Sequence, residues 1–295
     1  MTTLRVAESP VDLETWARVK SAVVPNEPVT GEQLAASDEE GRLLLLAERG
    51  GVVVGCGIAA RSSFGGRAFI AARVLEEHRR QGVGTQLLGA LSGHARALDR
   101  NGVNAFVYAD EPHSIAFAEH FGLTEVDYQL EQVRAIGDEP APELPEGLEL
   151  ERVGGRREEL LHAAWHAVAL EAYNDLPLPG EANFELTEWL REEATRPEGS
   201  FVAFENGKIV GWAGLSAHAN GDAVAEHGLT AVRRDRRGHG IGRALKRAQL
   251  HWAAQNGVGE LVTWTQRGNE AMQSLNRSLG YVDTAKVITY QGPLP

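Results

Sequence analysis

The pattern Arg79-x-x-Gly82-x-Gly84 recurs as Arg237-x-x-Gly240-x-Gly242, each fixed residue 158 positions further along the chain. Neighbouring landmarks recur at nearly the same offset: Phe121-Gly122-Leu123 against Leu279-Gly280-Tyr281 at 158, Val54-Gly55 against Val210-Gly211 at 156, and Asn101-Gly102-Val103 against Asn256-Gly257-Val258 at 155. A single Gly-rich match would be an ordinary turn into a helix. A series in constant order is an internal duplication, and its domain-sized period means two similar domains, not a solenoid. The chain has 295 residues, 43% hydrophobic and 24% charged, enough for two domains that each bury a core.

In the second copy, Arg237-Gly238-His239-Gly240-Ile241-Gly242-Arg243 follows the extended Leu229-Thr230-Ala231-Val232. It enters Ala244, Leu245, Ala248 and Leu250 at helical spacing. Glycines let the backbone approach a ligand with no Cβ in the way. The first N–H groups of the helix have no internal partner and carry the positive end of its dipole, a seat for phosphate or pyrophosphate. Two familiar phosphate loops do not fit. The Walker motif ends in Gly-Lys-Ser/Thr, but Arg243-Ala244 follows Gly242. The dinucleotide fingerprint needs a small residue where Arg243 stands.

Both halves alternate strand and helix, the mark of an α/β fold. In the first, residues 4–8 are extended and residues 13–20 helix-compatible; the runs 43–48 and 52–58 make a hairpin about Gly50-Gly51. A strand over 68–75 leads into the loop, followed by a helix over 86–98, a strand over 104–108, a helix over 114–120 and a final extended pair over 122–134. Residues 137–147, with three prolines and four acids, read as a linker between domains 1–136 and 148–295. The second half repeats the order, with helices over 158–173 and 185–194, a hairpin about Asn206-Gly207, a strand over 223–232, a helix over 241–254, a strand over 261–265, a helix over 270–279 and a closing strand over 281–290.

With that order of elements, the duplicated loop resembles the coenzyme A pyrophosphate loop of the GNAT superfamily of N-acetyltransferases, and the likeness covers nearly the whole chain apart from the linker. The resemblance implies an α/β protein of two tandem GNAT-like domains, each a mixed, mostly antiparallel sheet flanked by helices. It also implies acetyl-CoA (coenzyme A) bound between splayed fourth and fifth strands. Cofactor contacts are then expected from Ala231, Val232, Arg237, Gly238, His239, Gly240, Ile241, Gly242 and Arg243, with Asn269 on the pantetheine arm. The first copy offers Val74, Arg79, Gly82, Val83, Gly84 and Thr85. Tandem domains of this kind resemble the mycothiol synthases, where one copy is catalytic, and equally antibiotic-modifying and other tandem acetyltransferases, and nothing in the sequence selects among them.

The family's chemistry is direct attack of an amine on the acetyl thioester in a ternary complex. It asks for a backbone N–H near Val232 to polarise the carbonyl and a base to take the ammonium proton. Glu226 and His227 are the candidates; adjacent strand residues face opposite ways, so one of them faces the cleft, and Glu226 is preferred. The first copy has no acid or histidine over residues 68–74, so the C-terminal domain is expected to be catalytic and the N-terminal one not. The tyrosine that many members use to reprotonate the thiolate is replaced by Ala118 and Asn276. Substrate choice is expected from Trp165, Tyr173, Asp175 and the turn Pro177-Leu178-Pro179, Asp175 being either an amine partner or simple turn chemistry. The competing class is a non-catalytic acyl-CoA-binding sensor or scaffold.

A net charge of −12 repels nucleic acid and anionic membrane and favours a small cationic amine as partner. The basic run Arg233-Arg234-Asp235-Arg236-Arg237 lies against the loop and suits a phosphate clamp or a solvated turn better than DNA. No apolar run reaches the roughly 20 residues of a membrane span, and Met1-Thr2-Thr3-Leu4-Arg5 begins no signal peptide, so a cytoplasmic protein is expected. Cys56, the single cysteine, sits in an apolar run and reads as a buried hydrophobe. No metal site is expected.

Overall fold

The computed structural model describes residues 1–37, 41–62, 66–177 and 184–295, which form two compact units. In chain order the elements are β1 (Thr2–Val6), α1 (Pro10–Val23), α2 (Gly31–Ala36), β2 (Leu43–Arg49), β3 (Val52–Arg61), β4 (Ala68–Val74), α3 (Val83–Ala97), β5 (Val103–Tyr108), α4 (Pro112–His120), β6 (Thr124–Ala135), β7 (Leu148–Arg152), α5 (Arg157–Ala164), α6 (Leu170–Asn174), α7 (Leu186–Glu192), β8 (Phe201–Glu205), β9 (Lys208–Ala217), β10 (Val224–Val232), α8 (Ile241–Gln255), β11 (Glu260–Gln266), α9 (Glu270–Ser278) and β12 (Val282–Gly292). Among the described residues no helix is long and apolar enough to cross a membrane.

The first unit holds Met1–Tyr128 and Val287–Pro295. Its strands run β1-β2-β3-β4-β5, with β4 and β5 parallel and the other neighbours antiparallel. The unbroken apolar run of β2 is buried on both faces: Leu45 and Ala47 meet Leu87 and Leu91 of α3, while Leu44 and Leu46 meet Trp16 and Ala17 of α1. That is why it does not alternate with polar residues. Ser9 and Asp12 form a reciprocal cap that starts α1, as Thr30 and Gln33 do for α2. Cys56 is fully buried, and burial pushes its thiol up to about 12.

The second unit holds residues 129–177 and 184–286, with strand order β6-β11-β10-β9-β8-β7. It repeats the layering: Ile241, Ala244 and Leu245 of α8 pack on Ala203, Val210 and Ala213, and Trp165 and Trp189 pack on Val202 and Trp212 from the other face. The Asn206-Gly207 turn has φ of 50° and 72°, the left-handed pair that a tight hairpin needs. The helix expected over 158–173 is interrupted by a π-helical turn at Trp165–Ala169. Residues 136–147 form no helix or strand; the His251 ring bonds the Glu139 carbonyl at 2.8 Å.

The terminal strands differ from expectation. Residues 122–134 were expected as a pair closing the first sheet, and 281–290 as the strand closing the second. Instead β6 is one twelve-residue strand whose last seven residues, 129–135, pair with all seven of β11. The last six residues of β12, 287–292, pair with all six of β5. At about 3.3 Å per residue, strands of this length outrun a single short partner, and no glycine or proline interrupts them.

Candidate active site

In the second unit β10 and β11 are parallel neighbours only over Val224–Glu226 and Glu260–Val262. Beyond that point β10 stays with β9 while β11 stays with β6, so the two strands part. The amide of Arg233 donates to Val210 O at 2.9 Å on the β9 side. Strand alternation therefore turns the N–H groups of Val232 and Thr230 to the opposite edge, where the β11 ladder has ended. In the first unit β4 and β5 pair only at Ala68 and Phe69, and Leu75 donates to Val54 O at 3.0 Å, which leaves Val74 on the open edge.

The loop after β10 ends in Gly240 at φ 80°, the N-cap of the fifteen-residue α8, with Gly238 also at φ 80°. No side chain caps the helix, and Ala244 is the first amide bonded back, to Gly240 O. The N–H groups of Ile241, Gly242 and Arg243 are thus the helix's orphan donors, the chemistry a pyrophosphate needs. A Cβ on Gly242 would meet Val232 and Leu275 at 3.7 Å, so the loop lies close against the strand end and α9. In the first copy Gly82 caps α3 at φ 81°, Val83 is buried and Thr85 exposed. Arg80, at φ 61°, takes the strained left-handed position that Gly238 fills in the second copy.

Arg237 donates to Val232 O and pairs with Asp175 at 2.7 Å. Asp175 also binds Arg234, and these contacts hold its carboxyl below the usual range, the Arg234 hydrogen bond first. Asp175, weighed in the sequence as either an amine partner or a turn residue, is the partner of two loop arginines. The His239 ring contacts the carbonyl oxygens of Arg236 and Arg237, Arg243 donates to Ser278, and Asn269 caps α9 by accepting from Met272 N.

A bulge interrupts the β10 ladder between His227 and Thr230. Below it His227 lies among α8 residues, 5% exposed, with Nε2 bonded to the Tyr281 hydroxyl. Burial and then the charge of Lys246 keep the imidazole neutral, far below its usual pKa. Lys246, 1% exposed, stacks 5.5 Å over the Tyr281 ring, and burial lowers its ammonium to about 7. Glu226, the next residue along the strand, faces the other way. Burial, and then Glu131, raises its carboxyl, the direction a general base needs near neutrality. Leu229 and Ala231 pack with Trp165 and Trp212 on that same side.

Trp165 and Tyr173 stand 6.0 Å apart, and Tyr173 stacks on Phe184 at 4.2 Å. Pro177 is described; Leu178, Pro179 and Gly180 lie outside the described residues. Asn276, fully buried, donates to Gln132 at 2.8 Å and its Oδ1 is unpartnered; Ala118 is buried.

Two residues escaped the sequence reading. Lys246 was hidden by the apolar pattern of its helix. Glu193 follows α7 and is 7% exposed; Trp212 Nε1 and Leu229 N each donate to its carboxyl at 3.2 Å. The available signal was a pair of strand glycines, Gly214 and Gly228, which mark a close approach.

Residues 11–123 and 162–281 match the model of the Acetyltransferase (GNAT) family. The mycothiol acetyltransferase of Catenulispora acidiphila is 30% identical over 224 residues, 74% of this chain and 70% of its own length. That of Kocuria rhizophila is 28% identical over 277 residues, 89% of each. Among solved structures, the GCN5-related N-acetyltransferase from Sphaerobacter thermophilus superposes with a TM-score of 0.81 at 20% identity, covering 99% of this chain and 96% of that one. The tandem GNAT protein from the clavulanic acid biosynthesis pathway gives 0.77 at 18%, covering 100% and 99%. At those identities the structural likeness speaks for the fold.

Proposed function

Because this chain belongs to the GNAT family and is an N-acetyltransferase, we propose that it acetylates the primary amine of a small cationic molecule in a ternary complex, at the second unit. Acetyl-CoA supplies the activated acetyl thioester. The observation that carries this reading is one strand: within seven residues β10 presents a partly buried carboxylate with a raised pKa, Glu226, and an open edge bearing the Thr230 and Val232 amides, and it runs into an uncapped helix start. Ile241, Gly242 and Arg243 would hold the pyrophosphate through their amides, Val232 N–H would donate to the thioester carbonyl oxygen, and Glu226 would take the ammonium proton. Ala231 shapes the strand end between them. Asn269, which caps α9, would border the pantetheine arm.

The first unit would play a supporting part. Its β4 has no register shift against β3 and carries neither acid nor histidine. The relatives' name, mycothiol acetyltransferase, supports a small-molecule acceptor, and the free buried Cys56 suits a reducing, cytoplasmic setting.

The test is release of free coenzyme A from acetyl-CoA, with and without a panel of primary amines. Amine-dependent release supports the reading. Tight acetyl-CoA binding with no release for any amine favours a sensor, a reading that Asn276 in place of a phenol keeps in play.

A further inference from the structure

Glu193 lies outside the loop and outside β10, yet its carboxylate reaches the one irregular point of that strand. A Cβ on Gly214 would stand 1.5 Å from Glu193 Oε1, and a Cβ on Gly228 2.2 Å from it. The carboxylate therefore occupies a slot that exists because both strand residues lack side chains. There Oε2 accepts the Leu229 amide, an amide of the bulge, and Oε1 accepts the Trp212 indole N–H, each at 3.2 Å. From the other side Arg157 holds the segment, donating to the carbonyl oxygens of Ala194 and Glu193. Among the described residues Tyr173 also faces the carboxylate.

The bulge matters because strand side chains alternate with period two, so one extra residue reverses the face of everything before it relative to everything after it. Leu229 and Ala231 pack on the Trp165 and Trp212 side, and His227 lies on the side of Lys246 and Gln249 of α8. With the extra residue in place, Glu226 shares the face of Leu229 and Ala231. Without it, His227 would take that face and Glu226 would turn toward α8.

We propose that Glu193 is a positioning residue for acetyl transfer, holding the β10 bulge through Leu229 N–H and so aiming Glu226 to the acceptor side while keeping Thr230 and Val232 amides on the open edge. The inference rests on the proposed chemistry of Glu226 but is separable from it. Ionised, Glu193 accepts both hydrogen bonds. Burial raises its carboxyl to about 7, so the tie is poised to weaken just below neutrality.

The test compares wild type with Glu193→Ala, Glu193→Gln and Gly228→Ala. Three quantities are read: acetyl-CoA affinity by calorimetry, kcat and KM for an accepted amine across pH, and hydrogen exchange at residues 227–232. Glu193→Ala is expected to lower kcat roughly tenfold to a hundredfold, the scale of a misplaced catalytic group, with acetyl-CoA affinity unchanged and exchange at Leu229–Val232 accelerated. Glu193→Gln keeps one acceptor oxygen and is expected to recover part of kcat and to alter the pH profile between about pH 6 and 8, around the Glu193 value. Gly228→Ala, which blocks the slot with Glu193 intact, should reproduce the loss. Unchanged exchange at Leu229–Val232 in Glu193→Ala overturns the inference whatever the turnover. A wild type with no amine-dependent turnover but accelerated exchange in the variant overturns the proposed function and leaves the bulge tie standing. If Glu193→Ala does not fold, the Gly228→Ala and Glu193→Gln pair decides on the same readouts.

Discussion

Arg237 donates from Nε to the carbonyl oxygen of Val232 at 3.0 Å, and Arg79 does the same to Val74 at 3.2 Å in the first unit. The arginine of the duplicated motif is thus a buckle that fastens the glycine loop back to the end of its strand. In the second unit the same guanidinium also pairs through Nη2 with Asp175, so two of its three nitrogens contact protein. A phosphate bound at the proposed site would depend on loop amides whose position this buckle holds.

Arg237→Ala should weaken acetyl-CoA binding about tenfold and cost roughly 1 kcal/mol of stability, the scale of a hydrogen bond to a charged group at a partly exposed site. Arg237→Lys should not restore either, because an ammonium lacks the planar fork that reaches a carbonyl and a carboxylate together. Calorimetry and thermal unfolding read both; full affinity in the alanine variant would dismiss the buckle.

Gly240 holds φ 80° at the helix start, a conformation costly for any residue with a Cβ, and a glutamate there adds a negative charge beside the orphan amides. Gly240→Glu is expected to abolish acetyl-CoA binding at the second unit. Gly82→Glu makes the same change at φ 81° in the first. Titrating acetyl-CoA into each variant identifies the working loop: binding that survives Gly240→Glu and disappears in Gly82→Glu would move the site to the first unit.

Glu226→Gln should lower kcat by about 10² to 10⁴, the usual worth of a general base, with acetyl-CoA affinity unchanged. Because burial raises the Glu226 pKa, wild-type turnover should fall as pH drops through a value above the ordinary carboxylate range. The glutamine variant should lack that acidic limb. Wild-type turnover in the variant would remove Glu226 from the mechanism.

Lys246 is buried over the Tyr281 ring and near His227, and burial lowers its pKa to about 7 from 10.5. A cation whose folded pKa is depressed contributes stability present above the unfolded value and lost as pH falls through the folded one. Relative to Lys246→Met, the wild type should therefore lose ground between about pH 10 and pH 7. Below that the methionine variant should be more stable by on the order of a few kcal/mol. Urea titrations at pH 6 and pH 9 read the difference; equal effects at both would show that the ammonium is hydrated.

What the sequence determined by itself is what short-range chemistry dictates. Glycines at fixed spacing before a helical pattern mark a helix start with free amides, Asn206-Gly207 marks a hairpin, and a repeat of 158 residues marks duplicated units of mixed α/β sheet. Alternation also required that Glu226 and His227 face opposite ways. Tertiary structure decided which of them shares the face of Leu229 and Ala231, because that parity depends on one extra residue in β10, where the Leu229 amide bonds a carboxylate 36 residues away in the chain. It also decided that 129–135 pair with β11 and 287–292 with β5, and that Lys246 is buried. Strand pairing and burial are set by which surfaces meet at long range, and two adjacent residues, or two equally apolar strands, carry no local signal that distinguishes them.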